Sequence, residues 1–87
     1  MNTADEERRF VRLTILGGER RMLPAEVAEL AGDQMRLVLD EAVPINTAVH
    51  LEFEESLLLG EVRFCRQEGW RYVVGIHLRH ALREQNR

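Results

Sequence analysis

Three arginines near the start of the chain are the first side chains that could bind a ligand. Arg8, Arg9 and Arg12 lie at the edge of the first apolar run, in a chain with a formal net charge of −3. A guanidinium presents a planar fork of donors that matches a phosphate or a guanine edge at two points. These residues suggest a site for an anion. The alternative is a solubilising leader whose cations pair with the acidic residues 5–7.

The side chains that could carry out catalysis are few and are not grouped. His50, His77 and His80 form no pair at metal-ligand spacing with acidic partners, and no serine or cysteine lies in a nucleophile elbow. Cys65 follows Phe64 in an alternating run and is expected to be a small packed residue. The sequence therefore predicts a protein that is not an enzyme and holds no metal ion or cofactor.

Length and composition restrict the class of protein further. A chain of 87 residues forms one small domain with a thin core. The acidic balance argues against binding to a nucleic acid polymer or to an anionic membrane surface. A single cysteine excludes a disulfide framework within the chain, and we find neither a secretion signal nor a transmembrane run. We therefore expect a cytoplasmic protein.

The hydrophobic pattern has a period of two through most of the chain, which is typical of strands. Six short strands separated by turn signals predict an all-β fold, a small antiparallel six-stranded β-barrel with a short C-terminal helix or tail. The predicted domain covers residues 8–80, between a flexible leader at 1–7 and a tail at 81–87. The predicted strands cover residues 10–16, 23–30, 34–40, 48–54, 56–67 and 70–78.

Several local features refine this prediction. Residues 48–54 alternate most regularly, with Val49, Leu51 and Phe53 expected to face inward. Gly60 interrupts a long strand and predicts a bulge or a bend. Glu68 and Gly69 are expected to form a tight hairpin turn. Trp70 follows that turn, and we expect it to pack at the end of the barrel rather than to form an interface.

The layout resembles that of the PilZ domain family, from "RRFVR" to "YVVGIHL". The resemblance implies a six-stranded β-barrel that recognises the bacterial second messenger cyclic di-GMP. The signature of the family is an N-terminal RxxxR, followed further along by [D/N]xSxxG at a turn between two barrel strands. The stretch "AEVAELAGDQMRLVLDEAVPINTAVHLEF" looks like the strands and loops around the second motif.

Arg8 and Arg12 match the arginines of RxxxR, and Arg9 is the common additional cation. In the second motif, "ELAGDQ" places Glu29 at the Asp/Asn position, Ala31 at the Ser position and Gln34 at the Gly position. By resemblance, these residues form the cyclic di-GMP site: the arginines hold phosphates and guanine faces, and Glu29 reads a guanine edge. This register leaves Met35, Leu37 and Leu39 on one apolar face, which a slip of one residue would turn outward.

The second motif departs from the family pattern at all three positions. Glu29 keeps a carboxylate but is one methylene longer than aspartate. Ala31 has no hydroxyl, so a hydrogen bond worth about 1 kcal/mol cannot form. Gln34 places a side chain where glycine would allow close backbone approach. Together these changes are expected to lower the affinity for the nucleotide.

Two other functions remain open. One is a PilZ-like adaptor that binds no nucleotide and contacts an effector protein through apolar positions such as Leu57, Leu59 or Trp70. The other is a small oligonucleotide-binding barrel, which usually carries aromatic residues on a basic groove. The acidic net charge and the five aromatic residues of this chain disfavour that barrel.

Overall fold

The computed structural model describes residues 9–84, with side chains described as far as residue 79. The predicted leader at 1–7 and Arg8 lie outside the described residues, as do residues 85–87. All regular structure in the described part is strand. The strands are β1 (Phe10–Ile15), β2 (Arg21–Ala31), β3 (Gln34–Leu39), β4 (Ala48–Phe53), β5 (Ser56–Glu68) and β6 (Arg71–Glu84).

The strands close into a barrel in the order β1-β2-β3-β6-β5-β4. Every neighbouring pair is antiparallel, including β1 with β4 and β3 with β6, the two pairs that close the sheet. Short hairpins join the strands except between β3 and β4, where residues 40–47 connect strands that are not neighbours. The predicted all-β, six-stranded antiparallel barrel is confirmed.

The barrel interior is filled by apolar side chains from alternate positions of the strands. Val49, Leu51 and Phe53 of β4 are buried as predicted, and no buried polar side chain occurs among the residues described. Small barrels are packed by their inward side chains in this way. The core comprises Val11, Leu13, Ile15, Leu23, Ala25, Met35, Leu37, Leu39, Val43, Val49, Leu51, Phe53, Val62, Val73, Val74 and Ile76.

The connection between β3 and β4 contributes to the core as well. Val43 lies in this connection and is 3% exposed. Its backbone N–H donates to the Cys65 sulfur over 3.5 Å. Cys65 is half-buried and packs against the core, which confirms the packed role predicted for it. The connection thus buries an apolar side chain although it forms no strand.

The β5–β6 hairpin differs from the sequence prediction. Glu68 pairs with Arg71, so the two-residue turn is Gly69–Trp70 rather than Glu68–Gly69. Gly69 adopts a φ of 67°, a left-handed conformation that favours glycine. The shift of one residue places Trp70 at the tip of the turn, where it is 74% exposed. The expectation that Trp70 packs against the barrel end is therefore wrong.

The end of β6 also differs from the prediction. The strand continues to Glu84, so residues 81–84, predicted as part of a short helix or tail, belong to β6. The beginning of β5 provides the pairing partner, with Ser56 opposite Glu84. The pairing of β5 with β6 shifts register at three places, one of them between Leu59 and Gly60. The bulge predicted at Gly60 is thus confirmed.

Truncation of a core side chain tests this packing. Leu51 is fully buried, so Leu51→Ala is expected to lower the free energy of unfolding by about 2–5 kcal/mol through lost burial and a residual cavity. Leu30→Ala makes the same chemical change at a position that is 43% exposed, and should cost less than about 1 kcal/mol. Urea denaturation followed by circular dichroism measures both. Equal losses would contradict the assigned core.

Candidate functional site

The residues predicted from the second motif lie together on the outer wall of the barrel. Glu29, Ala31 and Gln34 line one groove with a volume of about 660 Å³. We call it the β3–β6 groove, because these two strands form its floor. Its lining comprises Glu29, Ala31, Asp33, Gln34, Met35, Arg36, Arg63, Phe64, Gly75, Ile76 and His77.

One cross-strand row runs through the middle of the groove. Glu29 of β2 pairs with Arg36 of β3, Arg36 pairs with Gly75 of β6, and Gly75 pairs with Phe64 of β5. Residues directly opposite each other in antiparallel strands share a face of the sheet. The register therefore brings a carboxylate, a guanidinium and an aromatic ring, which are far apart in the sequence, onto one surface.

A second row runs parallel to the first. Ala31 pairs with Gln34, Gln34 pairs with His77, and His77 pairs with Glu61. Ala31 and Gln34 thus line the groove from β2 and β3, His77 lines it from β6, and Glu61 of β5 lies beside His77. Leu78 of β6 donates its backbone N–H to the Asp33 carbonyl over 2.7 Å, which fixes the β2–β3 turn against β6.

Gly75 makes room for the Phe64 ring on the outer wall of the barrel. The other residues of its row, Glu29, Arg36 and Phe64, carry large side chains. A β-carbon built on Gly75 would lie 2.2 Å from the Phe64 ring, so the ring rests directly on the glycine backbone. The Arg66 guanidinium lies 5.5 Å from the centre of that ring. Because Gly75 has no side chain, the Phe64 ring can pack against the backbone on the groove wall.

A bulge in β5 adds a cation to the groove. Val62 pairs with Ile76, and Phe64 pairs with Gly75. Because Ile76 and Gly75 are consecutive in β6, Arg63 is the extra residue of the bulge in β5. Bulges of this kind redirect side chains and are frequent beside functional sites. Arg63 and Phe64 are consecutive in the sequence, yet both line the groove.

Charged groups in and beside the groove are arranged in pairs. Arg36 contacts the carboxylate of Glu29. His77 Nε2 lies 3.0 Å from an Asp33 carboxylate oxygen. Because these groups are partly exposed, each pair contributes at most about 1 kcal/mol. The groove therefore offers cations and carboxylates that a ligand of suitable charge can engage at modest cost.

Glu61, at the end of the second row, contacts two arginines. Its carboxylate oxygen lies 3.7 Å from Arg63 Nη1 and 3.3 Å from Arg79 Nη1. One carboxylate is thus shared by two guanidiniums on the β5 side of the groove.

Arg9 and Arg12 do not line this groove. Arg12 Nη1 contacts Glu52 of β4 at 3.0 Å, in a second groove of about 470 Å³ that shares no lining residue with the first. Arg9 lies 3.8 Å from Glu54 and 5.9 Å from the centre of the Phe53 ring. The structure brings Glu29, Ala31 and Gln34 together but holds Arg9 and Arg12 elsewhere. Arg8 lies outside the described residues.

Sequence reasoning missed several groove residues, namely Asp33, Arg36, Arg63, Phe64, Gly75 and His77. Arg36 could have been found, because the predicted β2–β3 hairpin places it opposite Glu29. The β5 and β6 residues required the register between distant strands and the position of the bulge.

Comparison of the chain with protein-family models, curated proteins and solved structures finds no match. Among the residues described, no group of three or more His, Cys, Asp or Glu side chains could hold a metal ion. The same part of the chain contains no helix with the length and hydropathy needed to cross a membrane. The site is therefore interpreted from its own geometry.

The contact between Gly75 and Phe64 gives a testable coupling. Gly75→Ala should lower the free energy of unfolding by about 1–3 kcal/mol, because its methyl group must displace the ring. In a Phe64→Ala background the same change should cost clearly less, which a double-mutant cycle in urea denaturation measures.

Gly17→Ala is the matched control for this cycle. A β-carbon there would meet its nearest neighbour, the Thr47 methyl group, at 3.4 Å, so the change should be close to neutral. Additive losses for Gly75→Ala and Phe64→Ala would contradict the contact.

Proposed function

We propose that this chain is a PilZ-like receptor that binds cyclic di-GMP in the β3–β6 groove. The observation that carries the proposal is the position of Glu29, Ala31 and Gln34 in one groove of a closed six-stranded barrel. On this proposal the protein is a cytoplasmic signalling module and not an enzyme, and ligand binding alters the surface presented to an effector protein.

The chemistry of the groove suits the chemistry of this ligand. Cyclic di-GMP carries two phosphodiester charges and two guanine bases. A guanine presents N–H donors to a carboxylate such as Glu29 on one edge, and the acceptors O6 and N7 to a guanidinium on another. The groove lining supplies Arg36 and Arg63 for the remaining polar groups, and the exposed part of Phe64 for the base faces.

Binding has costs that the structure makes specific. Glu29 must leave Arg36 before it can accept from a guanine edge. Ala31 offers no hydroxyl, and the Gln34 side chain occupies space that glycine would leave open. A ligand group left without a partner costs about 1–3 kcal/mol, so these positions together reduce affinity by a few orders of magnitude.

A backbone contact between Arg9 and β2 supports a ligand-binding role for the N-terminal arginines. Val27 of β2 donates its backbone N–H to the Arg9 carbonyl over 2.8 Å, two residues before Glu29. Arg9, which immediately precedes β1, therefore lies beside β2, the strand that carries Glu29. Arg12 would have to exchange Glu52 for the ligand, and because that pair is exposed the exchange costs at most about 1 kcal/mol.

A second candidate function is an adaptor that contacts a protein partner. Phe10 and Met22 are 61% and 57% exposed, and with Pro24 they line the second groove. Large apolar side chains exposed together are typical of interaction surfaces. Trp70 is exposed, whereas Leu57 and Leu59 are half-buried, so Trp70 is the better of the contact residues expected from the sequence.

Titration calorimetry with cyclic di-GMP tests the receptor proposal. We expect saturable binding with a dissociation constant of about 1–100 μM, and no comparable heat from GMP, which has one base and no diester. Arg8→Ala should weaken binding, while Arg20→Ala, in the exposed β1–β2 loop, should not. Absence of heat at about 1 mM ligand would contradict the receptor and favour the adaptor.

Restoring the family motif gives an independent test. Ala31→Ser combined with Gln34→Gly should tighten cyclic di-GMP binding by about tenfold or more, because it adds a hydroxyl partner and removes the side chain that obstructs the groove. Thr14→Ser, on β1, serves as a control that changes a side chain outside the groove lining. Unchanged affinity in a folded double variant would refute the placement of the motif.

A further inference from the structure

We infer that the outer wall formed by β2, β1, β4 and β5 is the interface of a homodimer. In this dimer the same wall of a second copy packs against it about a twofold axis that runs parallel to the strands. We call the surface the β1–β4 wall, because these two strands form its centre. The inference goes beyond the proposed receptor function and does not depend on the identity of any ligand.

The order of side chains across the wall is the first argument. Pro24 of β2 pairs with Arg12 of β1, and Arg12 also pairs with Glu52 of β4. Glu52 in turn pairs with Leu57 of β5. The next residue, Leu58, packs against the core, which places Leu57 on the outer face. Residues opposite each other share a face of the sheet, so this row reads apolar, cation, anion, apolar.

A neighbouring row on the same face repeats the arrangement of apolar and polar groups. Met22 pairs with Thr14, and Thr14 also pairs with His50. His50 pairs with Leu59. Two polar residues therefore again lie between two apolar ones. Met22 is 57% exposed and Leu59 is half-buried, so apolar surface is available to a partner on both sides of the polar centre.

A wall with this order is complementary to itself. A twofold axis that is parallel to the strands and lies above the boundary between β1 and β4 places β1 of the copy over β4. Arg12 of each copy then faces Glu52 of the other. The same axis places β2 of the copy over β5, so that the apolar side chains of the two rows meet. Closed twofold dimers are the commonest homo-oligomers, and sheets often pack with their strands nearly aligned.

The charges select both the axis and the occupant. An axis that crosses the strands at the first row would place Arg12 over Arg12 of the copy, and like charges would meet. Arg9, just before β1, lies 3.8 Å from Glu54, just after β4, and continues the same order of charges at the end of the wall. These two arginines and two carboxylates sum to zero charge. A partner of high net charge therefore gains little, whereas a second copy opposes each charge with its opposite.

Sedimentation velocity of the full chain tests the dimer. We expect a monomer–dimer equilibrium with a dissociation constant of about 1–100 μM. Met22→Ser should weaken the dimer about fivefold or more, because it removes an apolar contact. Leu30→Ser changes another exposed apolar residue of β2, outside both grooves, and should leave the equilibrium unchanged. A chain that stays monomeric up to about 1 mM would refute the interface.

A pair of charge reversals tests the twofold arrangement itself. Arg12→Glu and Glu52→Arg each place like charges across the axis, so each variant alone should dimerise at least about tenfold more weakly. An equimolar mixture of the two should form a heterodimer, because one variant carries two carboxylates at this row and the other carries two guanidiniums. Arg20→Glu, in the exposed β1–β2 loop, is the matched control and should dimerise as the unchanged chain does.

Recovery in the mixture excludes misfolding as the cause of the weakened dimers, and circular dichroism of each variant checks the fold directly. If both variants dimerise as the unchanged chain does, association uses another surface and the proposed interface is wrong. If the mixture remains monomeric, the twofold arrangement is wrong. None of these results depends on cyclic di-GMP, so failure of the dimer and failure of the receptor are measured separately.

Discussion

Closure of the sheet is the constraint on which the rest of the structure depends. Pairing of β1 with β4 and of β3 with β6 leaves no open edge of the sheet at these strands. The interior enclosed by six short strands is filled by their apolar side chains and by Val43. Because the interior is occupied, a ligand of nucleotide size has to bind on the outer wall. The grooves on that wall are therefore the candidate binding surfaces.

The outer wall acquires its shape from two local departures from regular β-structure. Gly75 removes one side chain from a row of large ones, and the β5 bulge adds Arg63 to the outer face. Together these departures place an aromatic ring and a guanidinium beside the Glu29 carboxylate on one groove of the outer wall. The register of antiparallel pairing, rather than proximity in sequence, assembles this surface.

Much of the fold could be predicted from the sequence, because period-two alternation reports directly on which face of a strand is buried. Val49, Leu51 and Phe53 are the clearest example. The ends of the strands could be predicted less well from the sequence. β6 extends to Glu84 because β5 provides a partner there, and Trp70 is exposed because the turn lies one residue later than its composition suggests. Pairing partners and turn register are tertiary properties that local propensity does not contain.

The same distinction applies to the candidate site. Glu29, Ala31 and Gln34 belong to one hairpin, so a correct local register was enough to place them on one surface. Arg12 shows that the RxxxR spacing alone does not locate a binding site, because its side chain contacts Glu52 on the neighbouring strand β4 rather than the groove. A side chain whose sequence pattern predicts anion binding can instead form an ion pair with a carboxylate that lies forty positions away in the sequence.

The long-range pairs that close the barrel also tie the groove to the completion of folding. The row from Glu29 to Phe64 exists only after β3 has found β6, a contact between segments separated by two intervening strands. Folds dominated by such distant pairings form slowly compared with those built from local contacts. A molecule that binds in the groove binds only the fully assembled barrel. Binding therefore shifts the folding equilibrium towards the native state and slows unfolding through partial opening of the barrel.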